Sequence, residues 1–123
     1  SSDRDAVIQF DGETAQYEGP EAIPAGEMKI ILENNSNYDL DILVVKMDVG
    51  KTWQDMLDYL GPPGSKIPPP DWVENTTSSG VPNEPDATLF ILEEGSHAII
   101  LCTCSEILDY QVWPVSSLEV QAE

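Results

Sequence analysis

The sequence predicts an all-β fold, a β-sandwich that includes one short helix. Apolar residues alternate with polar ones or stand in short runs, and turn residues separate these segments, which is the pattern of strands. A single segment has helical spacing instead. Strands joined by turns, with one helix among them, are typical of a sandwich. The length of 123 residues fits one domain, so we take residues 1–123 as a single unit.

Six segments have the strand pattern. In chain order they are AVIQF, EMKIILEN, LDILVVKM, ATLFILEEG, HAIILCTC and SSLEVQ. Asp11 and Gly12 end the first segment, Pro24 to Gly26 precede the second, and the turn-rich NNSNYD precedes the third. Such residues favour tight turns, so we expect neighbouring segments to be joined by short connections.

The segment GKTWQDMLDYLG predicts the helix. Trp53, Met56, Leu57 and Leu60 stand at i, i+3, i+4 and i+7 and so share one face. Thr52 followed by Asp55 has the form of a capping box, and Gly61-Pro62 is a stop signal. We expect a helix over about residues 52–60 that covers one end of the sandwich.

Residues 61–86 are rich in Pro, Ser, Asn and Gly and show no periodicity. They predict a long loop, with a polyproline II segment at Pro68 to Pro70. Trp72 lies inside this loop. We expect Trp72 to dock onto the sandwich or the helix, and the alternative is an exposed anchor that meets a partner.

The net charge of the chain limits the kinds of partner that it can bind. The formal net charge is -18, from 23 acidic residues against five basic ones. Nucleic acid and anionic lipid need lysine and arginine, so neither is an expected partner. Basic proteins, cationic ligands and divalent ions fit the charge, and so does a simple solvated surface of a saline or extracellular protein. No apolar run of membrane-spanning length or signal peptide stands out, so any membrane tether is expected outside this sequence.

Several segments in order resemble the cupredoxin-like domains of exported proteins, the superfamily of plastocyanin and azurin. These are VIQFDGETAQYEGP, IPAGEMKIILENNS, TWQDMLDYLG, LEEGSHAIILC and the final LEV. The helix and the NNS turn are similar to those of a subgroup of small cell-surface or lipoprotein domains. The resemblance covers nearly the whole chain. It implies a Greek-key β-sandwich and a location outside the cytoplasm, whether secreted, periplasmic or anchored at the cell surface.

The same resemblance implies a type 1 copper site, which uses two imidazoles, a thiolate and usually a weak axial methionine. This chain has one histidine, His97. Tyr38 to Asp41 stand where the family has its first histidine, and SEILDYQVWPV supplies neither histidine nor methionine after the cysteines. We therefore expect no type 1 copper and no other cofactor.

Cys102 and Cys104 are the only cysteines. In a regular strand His97 would share a face with Leu101, and both cysteines would point to the other face. The first interpretation is two thiols in or beside the core. The alternatives are a disulfide or redox pair, and a soft-metal site such as Cu(I) that His97 or a second chain completes.

The sequence thus predicts a binding or interaction module, and not an enzyme. No serine or cysteine nucleophile has a recognisable partner, and no carboxylate pair stands out. The partner is an unknown protein or small molecule, and the oligomeric state is left open. The alternative function is redox chemistry or copper handling by Cys102 and Cys104. The candidate surface residues are Tyr38, Asp39, Asp41, Trp72 and Trp113.

Asp39 and Asp41, beside Asn35 and Asn37, are the densest set of hard oxygen ligands in the chain. They suggest a weak Ca²⁺ site, although their spacing matches no calcium loop. Ordinary turn residues are the simpler interpretation.

Overall fold

Ten β-strands and one α-helix form the described part of the chain in the computed structural model. The structure describes residues 5–66, 73–78, 81–84, 87–103 and 111–122, and it describes residues 73–78 and 81–84 by their backbone. The strands are β1 Ala6–Phe10, β2 Ala15–Glu18, β3 Ala22–Pro24, β4 Gly26–Asn34, β5 Asp41–Met47, β6 Val73–Ser78, β7 Val81–Glu84, β8 Ala87–Leu92, β9 Gly95–Cys102 and β10 Val112–Gln121. The helix α1 spans Trp53–Leu60, between β5 and β6.

The strands form two five-stranded sheets. The first sheet has the order β2-β1-β4-β8-β7, and the second has the order β3-β10-β9-β5-β6. β1 runs parallel to β4 and β3 runs parallel to β10, while the other neighbours are antiparallel. The predicted all-β sandwich with one short helix is confirmed.

The main core lies between the two sheets. Alternate residues of β1 point inward, as do alternate residues of β4, because successive side chains of a strand face opposite sides. The buried residues of this core are Ala6, Ile8, Phe10, Ile23, Met28, Ile30, Val44, Phe90, Leu92, Ile99, Leu101, Trp113, Leu118 and Val120. Each large apolar side chain buried in this way contributes about 1.5 to 3 kcal/mol to the stability of the fold.

A second, smaller core lies on the outer face of the second sheet, beneath α1. Met56 and Leu60 of the helix pack there with Val45, Met47, Ala98, Ile100, Cys102 and Val112. β9 is therefore buried on both faces, and this explains the continuous apolar run in its sequence. The helix lies on a face of the sandwich, and not across one end as the sequence suggested.

The helix has the predicted boundaries. The Asp55 amide donates to the Thr52 hydroxyl oxygen at 3.2 Å, and the Thr52 amide donates to the Asp55 carboxylate at 2.8 Å. The Gly61 amide donates to the Leu57 carbonyl at 3.0 Å, with Gly61 at φ 71°. The capping box and the glycine stop are both present, because these two signals depend on local sequence alone.

The predicted loop over residues 61–86 is wrong in part, because β6 and β7 lie within it. β6 pairs with β5 and β7 pairs with β8, each at the edge of its sheet. Polar residues are common in edge strands, so the segment lacks the alternation of a half-buried strand. Pro68 to Pro70 and Trp72 lie outside the described residues.

Candidate functional site

Three aromatic rings form a stack at one end of the sandwich. Phe10 ends β1, Tyr38 lies in the turn before β5, and Trp113 is the second residue of β10. The ring centroid of Trp113 is 5.0 Å from that of Phe10 and 5.0 Å from that of Tyr38. Phe10 is 1% exposed and Trp113 3% exposed, whereas Tyr38 is 38% exposed. The Tyr38 ring therefore rests on two buried rings and presents part of its surface to solvent.

Hydrogen bonds hold the turn that carries Tyr38. The Asn34 side-chain amide donates to the Tyr38 carbonyl at 2.8 Å, and its oxygen accepts from the Ser36 amide at 3.0 Å. The Tyr38 amide donates to the Ser36 hydroxyl oxygen at 3.2 Å. The backbone amide and the backbone carbonyl of Tyr38 are thus both hydrogen-bonded. No hydrogen bond joins the Tyr38 hydroxyl to another residue in the described ranges.

Trp113 is held from the other side by the segment that follows α1. A Cβ atom on Gly64 would lie 3.4 Å from the Trp113 indole nitrogen, so this chain segment passes close to the ring. The Gly64 amide donates to the Val112 carbonyl at 2.8 Å, and the Gln111 side chain donates to the Gly64 carbonyl at 3.0 Å. Trp113 was expected on the binding surface. It is buried instead, and its ring contacts the rings of Phe10 and Tyr38.

The candidate residues Asp39 and Asp41 follow Tyr38 in the sequence, and both are exposed. Neither carboxylate forms an ion pair or hydrogen bond with another described residue. Among the described residues, no group of three or more histidine, cysteine, aspartate or glutamate side chains is close enough to hold a metal ion.

Cys102 is the last residue of β9, where it pairs with Asp41 of β5 and Val112 of β10. It is fully buried on the face covered by α1, and it is disulfide-bonded. The interpretation of Cys102 as a thiol is therefore wrong, and the disulfide alternative fits. The sequence has one other cysteine, Cys104, which lies outside the described residues. A sulfur in a disulfide supplies no thiolate to copper.

His97 lies near the start of β9 and is 1% exposed. Its Nδ1 is 3.0 Å from the Gly95 carbonyl oxygen. Burial lowers the pKa of His97, and this outweighs the hydrogen bond to Gly95, which acts in the opposite direction. His97 and Cys102 are five positions apart on opposite faces of β9, which is a distance of about 16 Å along the strand. The two side chains point to opposite faces of β9, as predicted, and so they cannot bind one metal ion together.

A shallow depression of about 260 Å³ lies outside the end of β1, and the sequence did not point to it. Polar side chains from β1, β2 and nearby turns line it, namely Gln9, Asp11, Thr14, Gln16 and Asn35. The Asp11 carboxylate accepts from the Thr14 and Glu13 amides, each at 2.8 Å, and the Thr14 amide is the main cause of its lowered pKa. These bonds close the turn between β1 and β2, and the Asp11 carboxylate is therefore already an acceptor for groups of its own turn.

Two residues important at this end were missed in sequence. The sequence predicts Phe10 only as a strand residue, and Asn34 only as the junction between a strand and a turn. The apolar character of Phe10 could not reveal its contact with Tyr38, because 28 positions separate them and the pairing of β1 with β4 brings them together.

Comparisons of the chain with protein-family models, with curated proteins and with solved structures gave no match. In the part of the chain that the structure describes, no helix has the length and apolar character needed to cross a membrane.

Proposed function

We propose that the protein is a cupredoxin-like binding module that acts outside the cytoplasm without type 1 copper. It contacts a protein or small-molecule partner through the end of the sandwich that carries Tyr38. The two-sheet sandwich with its single short helix supports the cupredoxin-like part of the proposal. The single histidine, buried away from Cys102, supports the absence of a type 1 copper site.

The observation that carries the proposal is the stack of Tyr38 on Trp113 and Phe10. A tyrosine offers a large contact area and a polar hydroxyl at low entropic cost, and such residues dominate the energetics of many interfaces. The buried rings and the Asn34 and Ser36 bonds fix Tyr38 in advance. Binding through Tyr38 therefore loses little conformational freedom.

The charge favours a partner with a positive contact surface. The chain carries -18, and the exposed Asp39 and Asp41 follow Tyr38 closely in the sequence. A field of this sign speeds the approach of a basic partner and repels nucleic acid.

The disulfide at Cys102 supports a location outside the cytoplasm, since disulfides persist in oxidising compartments. The alternative function, copper handling or thiol exchange by Cys102 and Cys104, is the weaker candidate. Thiol exchange requires an attacking thiolate to reach a sulfur atom, and Cys102 is fully buried.

Site-specific photo-crosslinking tests this proposal. A benzophenone amino acid replaces Tyr38 in one variant and Tyr59 in a control, because Tyr59 of α1 is 36% exposed and so has nearly equal access. Both variants are expressed in the organism's own cells. We expect a discrete adduct from position 38 that the control lacks. Equal adducts from both positions, or none from position 38, would contradict the proposal.

A further inference from the structure

The outer face of the first sheet carries apolar side chains that belong to neither core. Val7, Ile31, Leu89 and Ile91 alternate along their strands with residues that point inward, such as Ile8, Ile30 and Phe90. None of the four packs into the core between the sheets or into the core beneath α1. We call these four residues the outer apolar row.

The strand register sets the order of the row, with Ala87 of β8, which is 4% exposed, between Ile31 and Leu89. Val7 lies opposite Ile31, and Ile31 lies opposite Ala87, so β1, β4 and β8 contribute side by side. Leu89 and Ile91 follow Ala87 on the same face of β8. Ile91 is 70% exposed, and the other three are half-buried. A connected group of exposed apolar residues often marks an interaction surface, whereas single apolar residues scattered over a surface are normal.

Acidic residues border the row. Glu18 lies opposite Val7 and Glu27 lies opposite Ile91, and both are exposed. Lys29 lies between Glu27 and Ile31 on the same face, but its ammonium group is 3.9 Å from the Asp5 carboxylate. The border of the row is thus negative on two sides, and its central cation has a carboxylate partner.

The other sheet shows how such a face is covered in this fold. The outer face of the second sheet is apolar too, and the amphipathic helix α1 packs on it through Met56 and Leu60. The 70% exposure of Ile91 shows that no comparable cover lies over that side chain.

We propose that the outer apolar row binds an amphipathic basic helix of a partner protein. Leucine or isoleucine at i, i+3, i+4 and i+7 of that helix would contact the row, and flanking lysine or arginine would face Glu18 and Glu27. A second copy of this chain is disfavoured because each copy carries -18. Anionic lipid is disfavoured for the same reason.

This surface is separate from the Tyr38 end. Ile91 pairs with Glu27 near the start of β4, while Asn34, which holds the Tyr38 turn, ends β4. These two points on β4 are about 23 Å apart along the strand, whereas Ile31, at the other end of the row, is about 10 Å from Asn34 and points to the outer face of the sheet. The inference therefore stands or falls independently of the proposed function.

A fluorescence titration with a labelled synthetic peptide tests the inference. The peptide has about 18 residues of leucine and lysine, placed so that leucine forms one helical face, and a scrambled peptide of equal composition is the control. Ile91→Thr removes most of the exposed apolar contact but keeps a β-branched side chain. Val49→Thr is the matched variant, because Val49 is fully exposed in a turn away from the row.

We expect saturable binding of the amphipathic peptide, weakened about tenfold by Ile91→Thr and unchanged by Val49→Thr. A second variant, Glu27→Lys, should also weaken binding, since Glu27 is exposed and its substitution reverses one border charge. Equal binding of the scrambled peptide, or no effect of Ile91→Thr in a protein of unchanged thermal midpoint, would overturn the inference. Self-association or binding to anionic vesicles that Ile91→Thr abolishes would also overturn it, since the occupant would then be different.

Discussion

Tyr38 and Trp113 lie with their ring centroids 5.0 Å apart and their planes tilted by 54°. One ring is 38% exposed and the other only 3%. This contact, together with that of Tyr38 with Phe10, links the surface of the sandwich end to its core. Trp113 belongs to the packing of the fold and Tyr38 is available for contact, so substitutions of the two residues should have different consequences.

Trp113→Ala should lower the free energy of unfolding by about 3 to 5 kcal/mol. The substitution removes a buried indole that packs against Phe10 and Tyr38, and it leaves a cavity in the core. Urea unfolding followed by circular dichroism measures the change. Val49→Ala is the control and should stay within about 0.5 kcal/mol, since Val49 is fully exposed. A loss below about 1 kcal/mol for Trp113→Ala would contradict the packing described here.

Thr52→Ala should lower the free energy of unfolding by about 1 kcal/mol. The change leaves the Asp55 amide without its side-chain acceptor at the start of α1. Thr52→Ser keeps the hydroxyl and should be nearly neutral. If the two variants unfolded at the same urea concentration, the capping box would not contribute to stability.

The sequence was most informative where local signals are strong. The helix was predicted to within a residue because Thr52, Asp55 and Gly61 act on neighbouring backbone groups. The alternation along β9 placed His97 and Cys102 on opposite faces for a similar reason. β6 and β7 were missed because their polar edge-strand sequences lack a one-sided apolar pattern.

The candidate site was harder to predict because it is built by contacts between distant segments. Tyr38 was named as a surface residue, but the burial of Trp113 depends on Phe10 and on the approach of Gly64 to the indole ring. No local pattern encodes either contact. The thiol interpretation of Cys102 was wrong because a buried cysteine next to apolar residues has the same local sequence whether its sulfur is a thiol or part of a disulfide.

The free energy of unfolding should fall as the pH is lowered from 7 to about 5.5. Burial lowers the pKa of His97 in the folded state, with Lys46 lowering it further and Glu119 and Glu93 raising it. In the unfolded state the pKa of the imidazole returns to about 6.5. Below that pH the unfolded chain binds a proton that the folded chain resists, so unfolding is favoured.

His97→Gln isolates this effect, because glutamine does not titrate. The difference in stability between the protein and this variant should change with pH over the same interval. The interval stops at about pH 5.5 because carboxylates begin to protonate below it, and the relief of repulsion in a chain of charge -18 acts in the opposite direction. A pH-independent difference would show that His97 titrates alike in both states.

The native protein should react with no thiol reagent until it is reduced. Cys102 is disulfide-bonded, and the described residues hold no free cysteine. Mass spectrometry after iodoacetamide treatment should show two additions only after reduction in denaturant. A bond to Cys104 would close a loop of about three residues, so its loss should cost only about 2 kcal/mol or less. One or two iodoacetamide additions to the protein that has not been reduced would contradict this prediction.

We propose that the Tyr38 end of the sandwich contacts a partner through an aromatic side chain and not through copper. A copper titration against a competing chelator, on the native and on the reduced protein, tests this most directly. We expect that the protein retains no stoichiometric copper and shows no intense visible band. One equivalent of Cu(I) held by the reduced protein and lost in Cys102→Ser and in Cys104→Ser, or a strong visible band with Cu(II), would contradict it and make the cysteines the functional site.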